Sequence, residues 1–362
     1  MKLVLFKPTT RHPMKKVFDL VMEAINGEEK EYTSGSINRA IVLLSIPMVL
    51  EMVMESLFAV VDIYFVSKIS VEAVTAVGLT ESVLMLVYSI AIGISMAATA
   101  MVARRVGEKK PEDAAVAAMQ SIFIAIALSI VLGIVGLIFA DDVLRAMGGD
   151  EQVIAQGTGY TRIALAGNIV IMLIFLLNGV FRGAGDAAIA MRTLWLSNGI
   201  NIILDPLLIF GIGPFPELGV QGAAVATVIG RGIGVSYQLY HLIKGSGIIR
   251  LARAHLILQW QIIRRLLKIG ITGAGQFLIA SASWIFLVRI VAEFGSEAVA
   301  GYTIAIRIIM FSTLPSWGLA NAAGTLVGQN LGAGHSDRAE TSVWRSAFFN
   351  MIFLVRLSLI LI

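Results

Sequence analysis

The chain has 362 residues and a formal charge of +4, yet only 14% of its residues are charged and 57% are hydrophobic. Soluble domains run near roughly 45–50% apolar and about 25% charged, so a mean hydropathy of +0.84 excludes a soluble globular domain and predicts an all-α polytopic membrane protein. The absence of cysteine excludes disulfide frameworks and thiolate metal sites, four scattered histidines form no ligand cluster, and no Walker-type nucleotide loop is present. The basic residues lie between the apolar runs rather than in one patch, which argues against a nucleic-acid partner.

Residues 1–36 read as a cytoplasmic N-terminal segment without a cleavable signal. Val17, Leu20, Val21, Ala24 and Ile25 share one face, which suits a helix on the membrane surface or an ordinary tail helix. Apolar segments of spanning length follow at about 37–66, 74–103, 115–139, 157–181, 189–212 and 219–242, then at about 266–292, 298–326 and 343–362. Basic residues concentrate in alternate connections. They occur in the N-terminal tail, at Arg104, Arg105, Lys109 and Lys110, at Arg182 and Arg192, and from Lys244 to Lys268. By the positive-inside rule this places the N-terminus in the cytoplasm of a multi-pass plasma-membrane protein.

The first span carries three acids, Glu51, Glu55 and Asp62. Successive helical residues turn by about 100°, so the three fall within roughly 40° of one another. A carboxylate in hydrocarbon costs about 2.5 kcal/mol or more, so the stripe is expected to face a wet cavity or bound cations. The alternative for Glu51 and Glu55 is simple pairing with buried arginines; Arg231, Arg289 and Arg307 are the intramembrane candidates. A fourth acid, Glu81, lies in the second span.

In the fifth span Asn198, Asn201 and Asp205 share a face, and Pro206 removes a backbone donor beside Asp205. Thr227 follows in a small-residue run of the sixth. Carboxylate, amide and hydroxyl oxygens suit Na⁺, with Asp62, Asn201 and Asp205 as its ligands, or a carboxylate pair cycling a proton. Plain interhelical hydrogen bonding is the alternative for Asn201 and Thr227. Trp284 and Trp317 read as interfacial anchors or as cavity walls for organic cations.

The long basic connection divides the chain, and the sequence beyond it repeats the sequence before it at an offset of 225 residues. Glu72, Gly93, Ala97, Ala98, Val102 and Gly107 fall on Glu297, Gly318, Ala322, Ala323, Val327 and Gly332 without a gap. This predicts a two-lobe transporter bundle with a parallel internal repeat. The divisions are a six-helix N-lobe over 37–244, a cytoplasmic linker over 245–265 and a partial C-lobe over 266–362. The last residue falls inside the third helix of the repeat, so a C-terminally truncated product is expected.

The ordered set PMVLEMVMESLFAVVDIYFVSKIS, AVGLTES, MVARRVGEKK, FRGAGDA, NIILDPLLIFG, LGVQGAAVAT and LVGQNLGAG resembles the multidrug and toxic compound extrusion (MATE) transporters. The resemblance implies two six-helix lobes and export of organic cations or other metabolites in exchange for Na⁺ or H⁺, with no other cofactor. It also implies an N-lobe cation site at Asp62, Asn201, Asp205 and Thr227 with the Ala223 carbonyl. The glutamate and proline of the NorM-type C-lobe site fall on Ala280 and Thr272, which leaves that site in doubt. Glu51, Glu55, Glu81 and Asn198 are expected to line the cavity for a small organic substrate. A monomer is expected. The competing readings are a flippase for lipid-linked sugars, which needs an arginine-ringed cavity, and an inactive truncated transporter. Nothing at plausible spacing supports an intramembrane enzyme, and no ring of equivalent residues supports a channel.

Overall fold

A computed structural model describes residues 13–27, 31–245, 247–292, 294 and 296–361. The helices are α1 (Pro13–Asn26), α2 (Ile37–Val66), α3 (Val71–Gly107), α4 (Pro111–Ala146), α5 (Glu151–Ala166), α6 (Asn168–Ala184), α7 (Ala187–Ile209), α8 (Val220–Lys244), α9 (Trp260–Ala292), α10 (Ser296–Gly332) and α11 (Ser336–Leu361). Local chemistry fixes several starts. Ser70 accepts from the Ala73 amide, Asp150 from Val153 and Asp186 from Ile189, while Pro111 opens α4 where its missing N–H costs nothing.

Five of these helices are long and apolar enough to cross a membrane: α2, α3, α4, α7 and the Trp260–Trp284 part of α9. A sixth span comes from α5 and α6 together, and here the expected continuous fourth span needs correction. It breaks at Gly167, where the two helices bend by 42°. A Cβ on Gly167 would lie 2.5 Å from Val228 Cγ2 of α8, so the glycine admits the close approach. Asn168, fully buried, donates to the Leu165 and Ser129 carbonyls at 2.6 and 3.1 Å. Its amide thereby satisfies backbone acceptors at the break. Of the remaining four, α1 has only 14 residues, and α8, α10 and α11 are less uniformly apolar. Arg231 and Gln238 interrupt α8, Gln329 and Asn330 sit in α10, and Arg338 and Arg345 lie in α11.

The internal repeat is present in three dimensions. α3 and α10 are both 37 residues long, and their bounds differ by 225 at each end. Contacts between the lobes obey the same offset. A Cβ on Gly107 would overlap the Gln329 carbonyl oxygen, and a Cβ on Gly332 would overlap the Arg104 carbonyl oxygen. Each of these contacts maps onto the other under the repeat. Gly328 faces Ala103, its own counterpart, with 2.6 Å between the Cβ positions, so the pseudo-twofold axis passes between them. Further along, Gly93 packs on Gly270 and Ala274 of α9, and Gly318 packs on Met48 and Val49 of α2. All these glycine contacts lie in the half of the bundle that also carries the N-terminal segment, hereafter the near half. Two α-helices approach this closely only where side chains are absent.

The N-terminal segment runs across that near face and touches both lobes. Arg192 of α7 donates to the Ile25 and Asn26 carbonyls at the end of α1. Arg338 of α11 donates to the Tyr32, Ser34 and Gly35 carbonyls, and Gln329 accepts from the Tyr32 amide at 2.8 Å. Beyond α8 the connecting segment is held against α4, where His255 meets Glu112 at 2.9 Å and Gln120 bonds Ile257 and Gln259.

Candidate functional site

Small residues bring α7 and α8 together. Gly230 lies against Ser197, its Cβ position 2.6 Å from the Ser197 carbonyl oxygen, and Gly222 lies against Leu208. This close packing puts Asn198, Asn201 and Asp205 of α7 opposite Thr227 and Arg231 of α8. The acid stripe of α2 faces the same interior.

The polar groups are stacked in layers down the N-lobe. Nearest the N-terminal face, Glu51 is buried and its Oε1 accepts from Arg182 at 2.6 Å and Asn178 at 3.1 Å. Asn178 in turn accepts from Gln238 at 2.6 Å. One turn on, Glu55 accepts from Arg231 at 2.9 Å and from Asn198 at 3.0 Å. The Arg231 guanidinium stands 5.5 Å from the centre of the Phe58 ring. The next layer is Asn201, which donates to the Thr227 hydroxyl at 3.1 Å.

Asp205 follows at 0% exposure, and both of its carboxylate oxygens are buried without a hydrogen-bond partner, as is Asn201 Oδ1. A buried carboxylate without donors is costly in any low-dielectric setting. Pro206 supplies no N–H, which leaves the Ile202 carbonyl without its helical donor. Asp62 is half-buried and lies within electrostatic reach of Asp205 and Arg231. Glu81 of α3 is exposed and reaches Asp62, Arg231 and Glu55 electrostatically. The N-lobe therefore assembles Asp62, Glu81, Asn201, Asp205 and Thr227 around one region.

Ala223 lies one turn before Thr227 on the same α8, fully buried. Among the described residues no three His, Asp or Glu side chains converge tightly enough to hold a metal ion by themselves. The oxygens gathered in this region are a mixed set of carboxylate, amide and hydroxyl groups from Asp62, Asn201, Asp205 and Thr227.

Two expectations are corrected. Glu51 does not line a cavity: it is 1% exposed and neutralised by Arg182. Asn198, also 1% exposed, holds Glu55 instead of facing a cavity. The alternative of pairing with buried arginines describes both glutamates. Arg231 is among the partners expected from the sequence, whereas Arg182, which reads there as part of a connecting loop, lies in the last turn of α6. The available signal was the i, i+4 spacing of Asn178 and Arg182, which puts both on one helical face. The same reasoning at i, i+7 links Arg231 to Gln238. The side chains of Arg289 and Arg307 lie outside the described residues. Trp284 and Trp317 are both exposed, and Trp317 meets Phe277 edge-on at 6.2 Å between ring centres.

With this geometry in place, the relatives of the chain can be compared. The MatE family model matches residues 47–207 and 274–362. A probable multidrug resistance protein NorM of Thermotoga maritima is 28% identical over 90% of this chain and 70% of its own length. An FAD transporter of Shewanella oneidensis is 28% identical over 88% of this chain and 71% of its own length. Among solved structures, the outward-facing conformation of a multidrug resistance MATE family transporter of the MOP superfamily superposes with a TM-score of 0.83 at 30% identity. That match covers 89% of this chain and 71% of the other. On the family match, the repeated two-lobe helical bundle and these relatives, the chain belongs to the MatE family of transporters.

Proposed function

We propose that this chain acts as a secondary antiporter that exports organic cations, drugs or metabolites in exchange for Na⁺ or H⁺. The observation that carries this reading is Asp205, a fully buried carboxylate whose two oxygens make no hydrogen bond of ordinary geometry, with the Asn201 amide close enough to ease its charge. Asn201 precedes it by one turn on α7 and bonds Thr227, and Asp62 is within electrostatic reach, so further oxygens are at hand as ligands. A monovalent cation placed among them offsets the repulsion between Asp62 and Asp205, which otherwise disfavours two charges in one low-dielectric site.

Cation binding and substrate binding are coupled through the lobes. The glycine contacts of α3, α9 and α10 close the near half, and the basic residues there support a cytoplasmic assignment for that side. The acids Asp62, Glu81 and Asp205 lie toward the opposite half, so the arrangement fits an outward-facing state. Glu81, exposed and acidic, is the group best placed to meet a cationic substrate. The Ala223 carbonyl is a further ligand by family resemblance. The chain works in the plasma membrane, N-terminus inside, as a monomer and without a bound organic cofactor.

The flippase reading is disfavoured by one observation. Arg182 and Arg231, the arginines that reach the acid stripe of α2, each pair with a glutamate there instead of lining the cavity as a ring for pyrophosphate. The test is uptake of a fluorescent organic cation by everted membrane vesicles under an imposed Na⁺ or H⁺ gradient. Uptake that follows the gradient and disappears in Asp62→Asn supports the antiporter. Uptake indifferent to either gradient overturns it.

A further inference from the structure

Arg231 is bound on one side only. Nη2 donates to Glu55 Oε1 at 2.9 Å, while Nε and Nη1 are buried without any acceptor. Its side chain is 3% exposed, so bulk water does not complete the shell. The Phe58 ring stands over the guanidinium carbon at 5.5 Å and closes one face. A further acceptor can therefore enter only along the open edge.

A deficit of opposite sign begins one helical turn away at Asn201 and extends to Asp205 a turn beyond it. Asp205 Oδ1, Asp205 Oδ2 and Asn201 Oδ1 are buried acceptors without donors. Thr227, which receives the Asn201 amide, precedes Arg231 by four residues on α8. Asp62, half-buried and two turns beyond Glu55 on α2, lies within electrostatic reach of both Arg231 and Asp205. The charged groups around Arg231 are Glu55 and Asp62 from α2 and Glu81 from α3.

We infer that Arg231 is an internal counter-cation whose open Nε–Nη1 edge receives the Asp62 carboxylate when Na⁺ is absent from the N-lobe. Binding of Na⁺ draws Asp62 to the Asp205 side, and release returns it to Arg231. Arginine suits the role because its rigid fork offers two edges at once, one for Glu55 and one for Asp62, and it keeps its charge throughout. The guanidinium thus competes with the coupling ion for Asp62 and sets the concentration at which the ion binds. Arg231 is a positioning residue here, acting on the ion through Asp62. The inference rests on the reading of Asp62 and Asp205 as cation ligands.

The test measures thermal unfolding of the purified full chain in detergent as a function of NaCl, with choline chloride at matched ionic strength. Wild type is expected to show saturable Na⁺ stabilisation that Asp62→Asn abolishes. The double variant Glu55→Gln/Arg231→Gln changes no net charge and removes the competitor, so its half-saturating Na⁺ concentration is expected to fall about tenfold. Arg231→Lys, which holds Glu55 but offers no second edge, is expected to fall less, and it supplies the readout if the double variant does not fold. A purely structural role would lower the unfolding temperature and leave the half-saturating concentration where it was. Unchanged half-saturation in both variants overturns the inference and leaves the Na⁺ site standing. No Asp62-dependent Na⁺ response in wild type overturns the Na⁺ site and the inference together.

Discussion

Glu51 of α2 and Arg182 at the end of α6 form an ion pair of 2.6 Å, and the Glu51 carboxylate is almost wholly buried. The backbone of the same arginine accepts from Thr325 of α10 at 3.1 Å, so one residue links the interior of the N-lobe to the contact between lobes. Glu51→Gln leaves the guanidinium without its counter-charge and is expected to lower stability by about 3–5 kcal/mol. Glu51→Gln/Arg182→Gln is expected to recover a large part of that loss. Thermal unfolding of the single and double variants measures both. A Glu51→Gln protein that keeps wild-type stability and changes only its substrate range would return Glu51 to the cavity.

Asp205 gives the opposite expectation. Its charge is buried without donors, so Asp205→Asn removes an uncompensated group of nearly the same shape. Stability in the absence of Na⁺ is expected to hold or rise by about 1 kcal/mol, while Na⁺-dependent stabilisation disappears. The same unfolding experiment with and without NaCl reads both quantities. A strongly destabilised Asp205→Asn would mean that the carboxylate is part of the structural network.

The crossing of α3 and α10 offers a conformational test. A Cβ at Gly107 or Gly332 would overlap a backbone carbonyl of the other lobe, and backbone cannot move aside as a side-chain tip can. Gly107→Ala and Gly332→Ala are each expected to weaken the near-half closure. The chain has no cysteine, so spin labels can be placed cleanly at exposed Lys110 and His335, which the repeat makes equivalent. Pulsed electron resonance on the labelled pair is expected to give one short distance in the parent and a longer second population in either alanine variant. A distribution unaffected by both substitutions would remove the crossing from the gating mechanism.

Packing of α7 on α8 places Asn201 opposite Thr227, which makes Gly230 a remote control of the proposed site. Gly230→Val would drive its side chain into Ser197 and Asn201, with an expected cost of about 1–3 kcal/mol. It is expected to raise the Na⁺ concentration needed for stabilisation, because Asn201 and Thr227 are pushed apart. Loss of stability with an unchanged Na⁺ response would show that the ligands tolerate the shift.

The architecture was legible because it rests on local signals. Spanning apolar runs, alternating basic connections and the offset of 225 residues are properties of short segments, and Gly93, Gly107, Gly318 and Gly332, which coincide under that offset, all touch the other lobe. The break at Gly167 was not legible, since a glycine within an apolar run is compatible with an unbroken helix until Val228 of another helix arrives beside it. The candidate site was legible where one helix carries its polar side chains, as at Asn201 and Asp205. Helix geometry also correctly put Glu51, Glu55 and Asp62 on one face. It said nothing about what that face meets. The partner of Glu51 is 131 residues away, and Arg182 looks like a loop residue from its neighbours Gly183, Ala184 and Gly185.

Coupling through Asp62 is tested most directly by measuring both fluxes in one preparation. The full chain is reconstituted in liposomes, and ²²Na⁺ entry and internal pH are recorded while an organic cation moves the other way. The expected result is counterflow of Na⁺ or H⁺ in fixed ratio to the organic cation, with both fluxes lost in Asp62→Asn. Organic-cation movement without any ion counterflow, or full counterflow in Asp62→Asn, would contradict the cation-coupled mechanism.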